Sequence, residues 1–250
     1  MIALSIAGYD PSGGAGILND VKTFQAMGIY GTGVVTVLTA QNPESVEAIE
    51  PVSTEFIEKQ LETLLKVYPI KYCKTGMLYN KENLKLVGAK TKEHNLKLVV
   101  DPVMVAGCGA ELSEAGYAKE LKKYLLPNAT LTTPNIYEAE LLSGQKIESI
   151  DDAVEAAVKI GKICDVVITG GSLNGSNIVF DGTVSVIENE LIGDVEVHGT
   201  GCSFSAAVTV GLLKNNSLKR SVEDAVEFVK NGVEHGKWGT LDQFHGKRFC

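Results

Sequence analysis

The chain has 250 residues, 44% of them hydrophobic and 22% charged, with a formal net charge of -8. That length and apolar content support one well-formed core, and a single domain is expected over residues 1–250. The acidic balance argues against nucleic acid and anionic membrane surfaces as partners, and the recurring apolar runs argue against disorder.

The first run, IALSIA at residues 2–7, reads as a buried strand, followed by a glycine turn and a helix over about 14–27. A second strand is expected at 33–39 and a helix from Thr54 to Val67, where Phe56, Ile57, Leu61, Leu64 and Leu65 fall at helical spacing. Residues 71–75 read as a strand, 81–94 as a helix and 97–101 as a strand. Ser113 is the expected cap of a helix running to Leu125, with Pro127 stopping it. A short strand at Leu131 to Thr133 precedes helices at Ile136 to Leu142 and Asp151 to Ile163, and 165–169 reads as a strand. Residues 176–187 read as two strands joined at Asp181-Gly182, a hairpin signal. Two helices, about 201–214 and 218–235, close the series. This alternation predicts an α/β domain: a mostly parallel sheet, helices on both faces, and a late antiparallel hairpin at one edge.

No apolar stretch is long enough to cross a bilayer. The start, MIALSIAGYD, has no basic flank and too short an apolar run for a signal peptide, so the cytoplasm is the expected location. Five scattered cysteines (Cys73, Cys108, Cys164, Cys202, Cys250) without a Cys-x-x-Cys pair indicate neither a disulfide framework nor a zinc site.

In open α/β sheets ligands lie beyond the carboxyl ends of the strands, and the chemistry-bearing residues sit just there. His198-Gly199-Thr200-Gly201-Cys202 enters the first of the closing helices. Its glycines let backbone N–H groups approach an anion, and the helix start adds partial positive charge. Cys202 in the first turn is placed to be a thiolate that takes a proton from a hydroxyl, or else a small residue packed under a tight loop. The loop AGYDPSGGAG after the first strand is not a dinucleotide fingerprint, because Asn19 occupies the third glycine position. Asp20 one turn later is either within reach of a ligand or on a solvated face. Gln41, Lys74-Thr75-Gly76-Met77, Asp101-Pro102-Val103-Met104, Thr133-Pro134-Asn135 with Glu138, and Thr169-Gly170-Gly171 each follow a strand. Asp101, Asn135 and Glu138 are hard oxygen donors suited to Mg²⁺, directly or through water. Gln41 can both donate to and accept from the edge of a pyrimidine or pyridine, and Met77 with Val103 can sandwich such a ring.

Taken together, SIAGYDPSGGAGILNDVKTFQAMGIYGTGVVTVLTAQN, KTGML, VVDPVMVAGCGAEL, LLPNATLTTPNIYEAELLSG, VVITGG and HGTGCSFSAAVTVGLL resemble the ribokinase-like superfamily. Within it they are most similar to the hydroxymethylpyrimidine/phosphomethylpyrimidine kinases of thiamine biosynthesis. The resemblance implies a three-layer sandwich, Mg²⁺-ATP as donor, two successive phosphorylations of a heterocycle and its monophosphate, and a homo-oligomer, foremost a dimer. It implies that Cys202 is the catalytic base and that Gly199, Thr200 and Gly201 hold the transferring phosphoryl group. It places Gly8, Asp20, Gln41, Met77 and Val103 around the ring, Thr169, Gly171 and Asn135 at the nucleotide, and Asp101 and Glu138 at the metal. The chain departs from the family pattern at four places. Tyr9 stands for a serine, Thr169 for a lysine, VAGCG for VAKSG (no cation at position 107), and the tail after Gly236 differs. Two rivals remain: a pyridoxal kinase, whose substrate is also a flat nitrogen ring with a hydroxymethyl arm, and a pyrimidine-binding regulatory protein without turnover.

Overall fold

The unbroken apolar run of β1 (Ile2–Tyr9) is buried along its interior length, as expected of a strand covered on both faces. The computed structural model describes residues 1–105, 109–110, 112–114, 116–171, 173–188 and 197–245. In chain order, β1 is followed by α1 (Gly16–Ala26), β2 (Tyr30–Gln41), β3 (Val46–Pro51), α2 (Thr54–Leu65), β4 (Tyr72–Thr75) and α3 (Lys81–Glu93). Then come β5 (Lys97–Val100), α4 (Tyr117–Tyr124), β6 (Leu131–Thr132), α5 (Ile136–Ser143), α6 (Ile150–Ile160) and β7 (Asp165–Ile168). β8 (Asn177–Phe180), β9 (Val184–Ile187), α7 (Thr200–Leu213) and α8 (Leu218–Glu234) complete the series.

The nine strands form one sheet in the order β3-β2-β1-β4-β5-β6-β7-β8-β9. The six strands from β2 to β7 in that order run parallel. The late hairpin adds β8 and β9 antiparallel, turning at Asp181–Thr183 with Gly182 at φ +95°. The opposite edge is antiparallel too, because β3 pairs with β2. That strand was not expected. Its sequence VEAIEP has two glutamates and a proline, and most of it is exposed, so it lacks the apolar alternation that marks a strand.

Side chains alternate across the sheet. Leu98 and Val100 of β5 join a core formed with α2 to α6, while Val99 joins a second core formed with α7 and α8. A third small core seats α1 against α7 through Phe24, Ala206 and Val210. The result is the three-layer sandwich of the ribokinase-like fold. Among the described residues, no helix is long and apolar enough to cross a membrane.

Local rules explain most helix starts. Ser53, Asn80 and Ser217 cap α2, α3 and α8 with their side chains. At α6 the cap is Ser149 in a capping box with Asp152, so the helix starts at Ile150, one residue ahead of the expected Asp151. Ser113 does not cap α4. The helix begins later, after Gly116 at φ 79°, and the Ser113 hydroxyl points back to the Met104 carbonyl at 3.5 Å.

Strand order reverses at β1: α1 carries the chain to β2 on one side, and β4 lies on the other. The carboxyl ends of β1, β4 and β5 therefore border a crevice, the place where such sheets bind ligands.

Candidate active site

Two loops meet over this crevice. Asn19 of α1 donates its amide to the carbonyls of Gly14 and Gly199, and Ser203 of α7 donates to Asn19 at 2.9 Å. The junction leaves no room for side chains at Gly199: a Cβ there would stand 1.7 Å from the Gly14 oxygen, and φ is +86°. Thus the loop after β1 and the start of α7 form one unit.

No side chain caps α7. Thr200 turns its own N–H and hydroxyl to the Val197 carbonyl, at 3.3 and 2.6 Å. Gly201 is exposed, with open space beside its α-carbon. Of the expected Gly199 to Gly201 set, the Thr200 N–H is therefore engaged within the loop, and the Ser203 N–H further along the turn is taken by the Gly199 carbonyl at 2.9 Å.

Cys202 follows in the same turn. The Gly16 backbone N–H donates to its sulfur, and Lys74 lies close enough to attract a thiolate. Even so, burial pushes the thiol up to about 12, Lys74 pulls it back only in part, and Asp101 and Asp20 push it further up. Cys202 itself is only half-buried at the surface, and its surroundings favour the thiol over the thiolate at neutral pH. This has a direct readout. Iodoacetamide labelling of Cys202 should rise about tenfold per pH unit from pH 7 to 10 instead of levelling near 8.5, as followed by peptide mass spectrometry. Cys73 and Cys164 are buried free thiols and should label far more slowly.

Beneath Cys202 lies a buried charge network. Lys74 at the end of β4 is fully buried and contacts Asp20 at 2.9 and 3.1 Å and Asp101 at 3.3 Å. Asp20 also accepts from Ser5 at 2.5 Å, and Asp101 from Ser205 at 2.9 Å. Burial alone would push Lys74 down, but Asp20, Cys202 and Asp101 hold it well above its ordinary value. Asp20 is therefore not on a solvated face: it is fully buried, and its carboxylate is engaged by Lys74 and Ser5.

Glu138 has a second task as well. It forms the α5 capping box with Asn135: the Asn135 N–H donates to it at 3.0 Å and Asn135 accepts from the Glu138 N–H at 2.9 Å. Its other oxygen accepts from Met104 N–H at 3.3 Å. Burial pushes the carboxyl up to about 8, and Asp101 adds to the rise. Two carboxyls that destabilise each other's charge in a buried rim suit a divalent cation. With both Glu138 oxygens on backbone donors, contact through water fits better than direct ligation. Asp101 and Glu138 are not a ready-made cage. Among the described residues the only three-donor group is Glu62, Glu93 and His94, which Lys90 already bridges at 2.8 and 3.1 Å.

The expected ring contacts assemble around the end of β1. Met77 packs with Val37 and Leu112, Val103 packs against them, and the Met77 sulfur is 3.4 Å from where a Cβ of Gly8 would stand. Gln41 lies on the adjoining strand end, 3.5 Å from His198. The expected nucleotide residues also adjoin: Thr169 bridges to Asn135 in parallel fashion and donates its N–H to Pro134 at 2.9 Å. Asn135 spends its side-chain oxygen on the α5 cap. Gly171 is exposed with open space around it. Gly107, Cys108 and Cys250 lie outside the described residues.

Two residues went unassigned in the sequence. Asp10 and His198 face each other at 2.8 Å, both nearly buried. Burial pushes Asp10 up, but hydrogen bonds from His198, Ser12 and Ala15 outweigh it and hold the carboxyl below its usual range. Both residues stand inside motifs that were singled out, yet 188 positions apart, so no local signal pairs them.

An uncapped helix start, two carboxyls and a small apolar cluster gathered at the switch point of a parallel sheet fit a small-molecule phosphotransferase. The family model described as phosphomethylpyrimidine kinase matches residues 10–246, and the chain belongs to that family. It is 37% identical over 241 residues to the hydroxymethylpyrimidine/phosphomethylpyrimidine kinase of Bacillus subtilis, covering 93% of this chain and 89% of the relative. It is 40% identical over 243 residues to the pyridoxine kinase of the same organism, covering 93% and 90%. Its fold matches the Staphylococcus aureus pyridoxal kinase in complex with AMP-PCP and pyridoxal with a TM-score of 0.86 and 35% identity, covering 98% and 93% of the two chains.

Proposed function

We propose that the protein transfers the γ-phosphoryl group of ATP to the hydroxymethyl oxygen of 4-amino-5-hydroxymethyl-2-methylpyrimidine, and then phosphorylates the resulting monophosphate, in thiamine biosynthesis. The observation that carries the chemistry is the uncapped start of α7, held against the β1–α1 loop with Cys202 in its first turn. Donors there stabilise the charge of the transferring group without reorganisation. Cys202 stands where the substrate hydroxyl must lose its proton. Only the thiolate fraction, which has already given its own proton to solvent, can accept the hydroxyl proton, and in a loose transition state that proton passes to the sulfur late in the transfer. Gln41 holds the ring edge, and Met77 and Val103 hold its faces.

Mg²⁺, held by Asp101 and through water by Glu138, would neutralise charge on the ATP phosphates when bound. Thr169 offers a hydroxyl where the family resemblance implies a lysine, so the nucleotide leans more on this metal and on α7.

A second reading has specific support: the 40% identity to a pyridoxine kinase exceeds the 37% to the pyrimidine kinase. Steady-state kinetics with Mg²⁺-ATP and each of hydroxymethylpyrimidine, its monophosphate and pyridoxal decides. Turnover of the monophosphate, with kcat/KM for hydroxymethylpyrimidine above that for pyridoxal, is the expected result. Turnover of pyridoxal alone would replace this reading with the second.

A further inference from the structure

Asp101 is the first residue past β5, and its two carboxylate oxygens have different surroundings. Oδ2 is anchored. Ser205 of α7 is fully buried and donates its hydroxyl to Oδ2 at 2.9 Å, and the Lys74 ammonium lies 3.3 Å from the same oxygen. The Ser205 hydroxyl is also 3.1 Å from the Cys202 carbonyl, but it has one proton, and a carboxylate is the stronger acceptor. Oδ1 takes no hydrogen bond among the described residues, yet it is not sealed from solvent. It is the oxygen left open at the end of the strand.

Both partners of Oδ2 are themselves fixed. Ser205 stands on a helix whose residues from Ser203 to Gly211 are all buried. Lys74 is held by Asp20 at 2.9 and 3.1 Å, and Asp20 accepts from Ser5 at 2.5 Å. A hydroxyl and an ammonium together occupy the space around Oδ2. Swinging it outward would break a charge-assisted hydrogen bond and leave a buried ammonium with one carboxylate fewer. Asp101 therefore cannot turn both oxygens to one cation. Glu138 adds no direct oxygen, because backbone N–H groups of Met104 and Asn135 hold its two at 3.3 and 3.0 Å.

We infer that Ser205 is a positioning residue that, with Lys74, confines Asp101 to a single metal-facing oxygen and so selects a small cation that keeps its own waters over a larger one that gathers carboxylate oxygens. Mg²⁺ demands near-octahedral geometry and gives up water reluctantly, so one carboxylate oxygen supplemented by water suits it. Ca²⁺ takes more oxygens at longer range, often both of one carboxylate, and Asp101 as held offers it one. Ser205 lies three residues past Cys202 on the same helix. The helix whose start faces the transferring group thus also fixes the carboxylate of the metal. This inference rests on the Mg²⁺-ATP reading given above.

The test is calorimetric titration of ADP into the intact protein and two variants, with saturating Mg²⁺, with saturating Ca²⁺ and with neither. Ser205→Ala removes the hydroxyl. Ser205→Cys keeps a side chain of similar shape with a much weaker donor, so it opens no cavity and decides alone where the alanine variant fails to fold. The intact protein should bind ADP at least about tenfold more tightly with Mg²⁺ than with Ca²⁺. Each folded variant should cut that preference at least about threefold, because Oδ2 is then free to join Oδ1 on Ca²⁺. ADP affinity without metal should hold, which shows an intact nucleotide site. Equal losses with both cations would make Ser205 a purely structural residue and overturn the inference, as would an unchanged preference in the cysteine variant. The metal reading fails separately, if the intact protein binds ADP no more tightly with Mg²⁺ than without it, and the inference falls with it.

Discussion

Cys202→Ala is expected to fold normally and to lose about 10²–10⁴ in kcat, the usual contribution of a positioned base. The Gly16 backbone N–H lies beside the sulfur and favours its charged form, and alanine keeps the helix that carries it. The loss should also depend on pH in a set direction. Because the thiol is held up to about 12, its thiolate fraction grows with each pH unit above neutral. The intact protein should therefore gain kcat/KM as pH rises from 7 to 9, and the alanine variant should lose most of that gain. Glu138, held up to about 8, titrates in the same window. It is present in both proteins, so the difference between the two profiles isolates the thiol. Steady-state kinetics at several pH values measures it. Parallel profiles, or a variant within about threefold of the intact protein, would remove Cys202 from the chemistry.

The parallel strands and most helices could be read from the sequence because their burial is periodic and their caps are local. The apolar runs of β1, β5 and β7 and the Ser or Asn before α2, α3 and α8 state their structure within a few residues. β3 could not be read, since its acidic, exposed residues are a strand only because β2 offers an edge to pair with. Ser113 misled for a related reason: it had the right chemistry for a cap, but the chain turns at Gly116 instead.

The site was legible as a set of loops and much less as a set of roles. Residue type is what suggests a ligand chemistry for Cys202, Gln41 and Asp101. It did not show that Asp20 is spent on Lys74, 54 positions away, nor that Glu138 is spent on the α5 cap. A carboxylate serves a ligand or the fold according to what stands opposite it, and that is decided by the sheet order. The raised Cys202 thiol follows the same logic: the helix start favours a thiolate, and burial beside two carboxylates outweighs it.

That buried network carries the largest stability effect. Lys74→Met keeps the apolar stem but removes the one positive charge that Asp20 and Asp101 share in the interior. Two carboxyls would then face each other with only the hydroxyls of Ser5 and Ser205 for support. Breaking a buried pair on one side costs about 3–5 kcal/mol, far more than a surface ion pair contributes. The sign with pH follows. Burial already pushes the Asp20 carboxyl up, with Lys74 opposing it. Without Lys74 only the Ser5 hydroxyl opposes that rise, and at low pH the carboxyl escapes the penalty by taking a proton. The destabilisation should therefore be smaller at pH 5 than at pH 8 in urea unfolding. Adding Asp20→Asn to Lys74→Met should recover at least about 1 kcal/mol at pH 8, because the pair is coupled. An equal loss at both pH values, or no recovery in the double variant, would mean that Lys74 acts there as packing and not as charge.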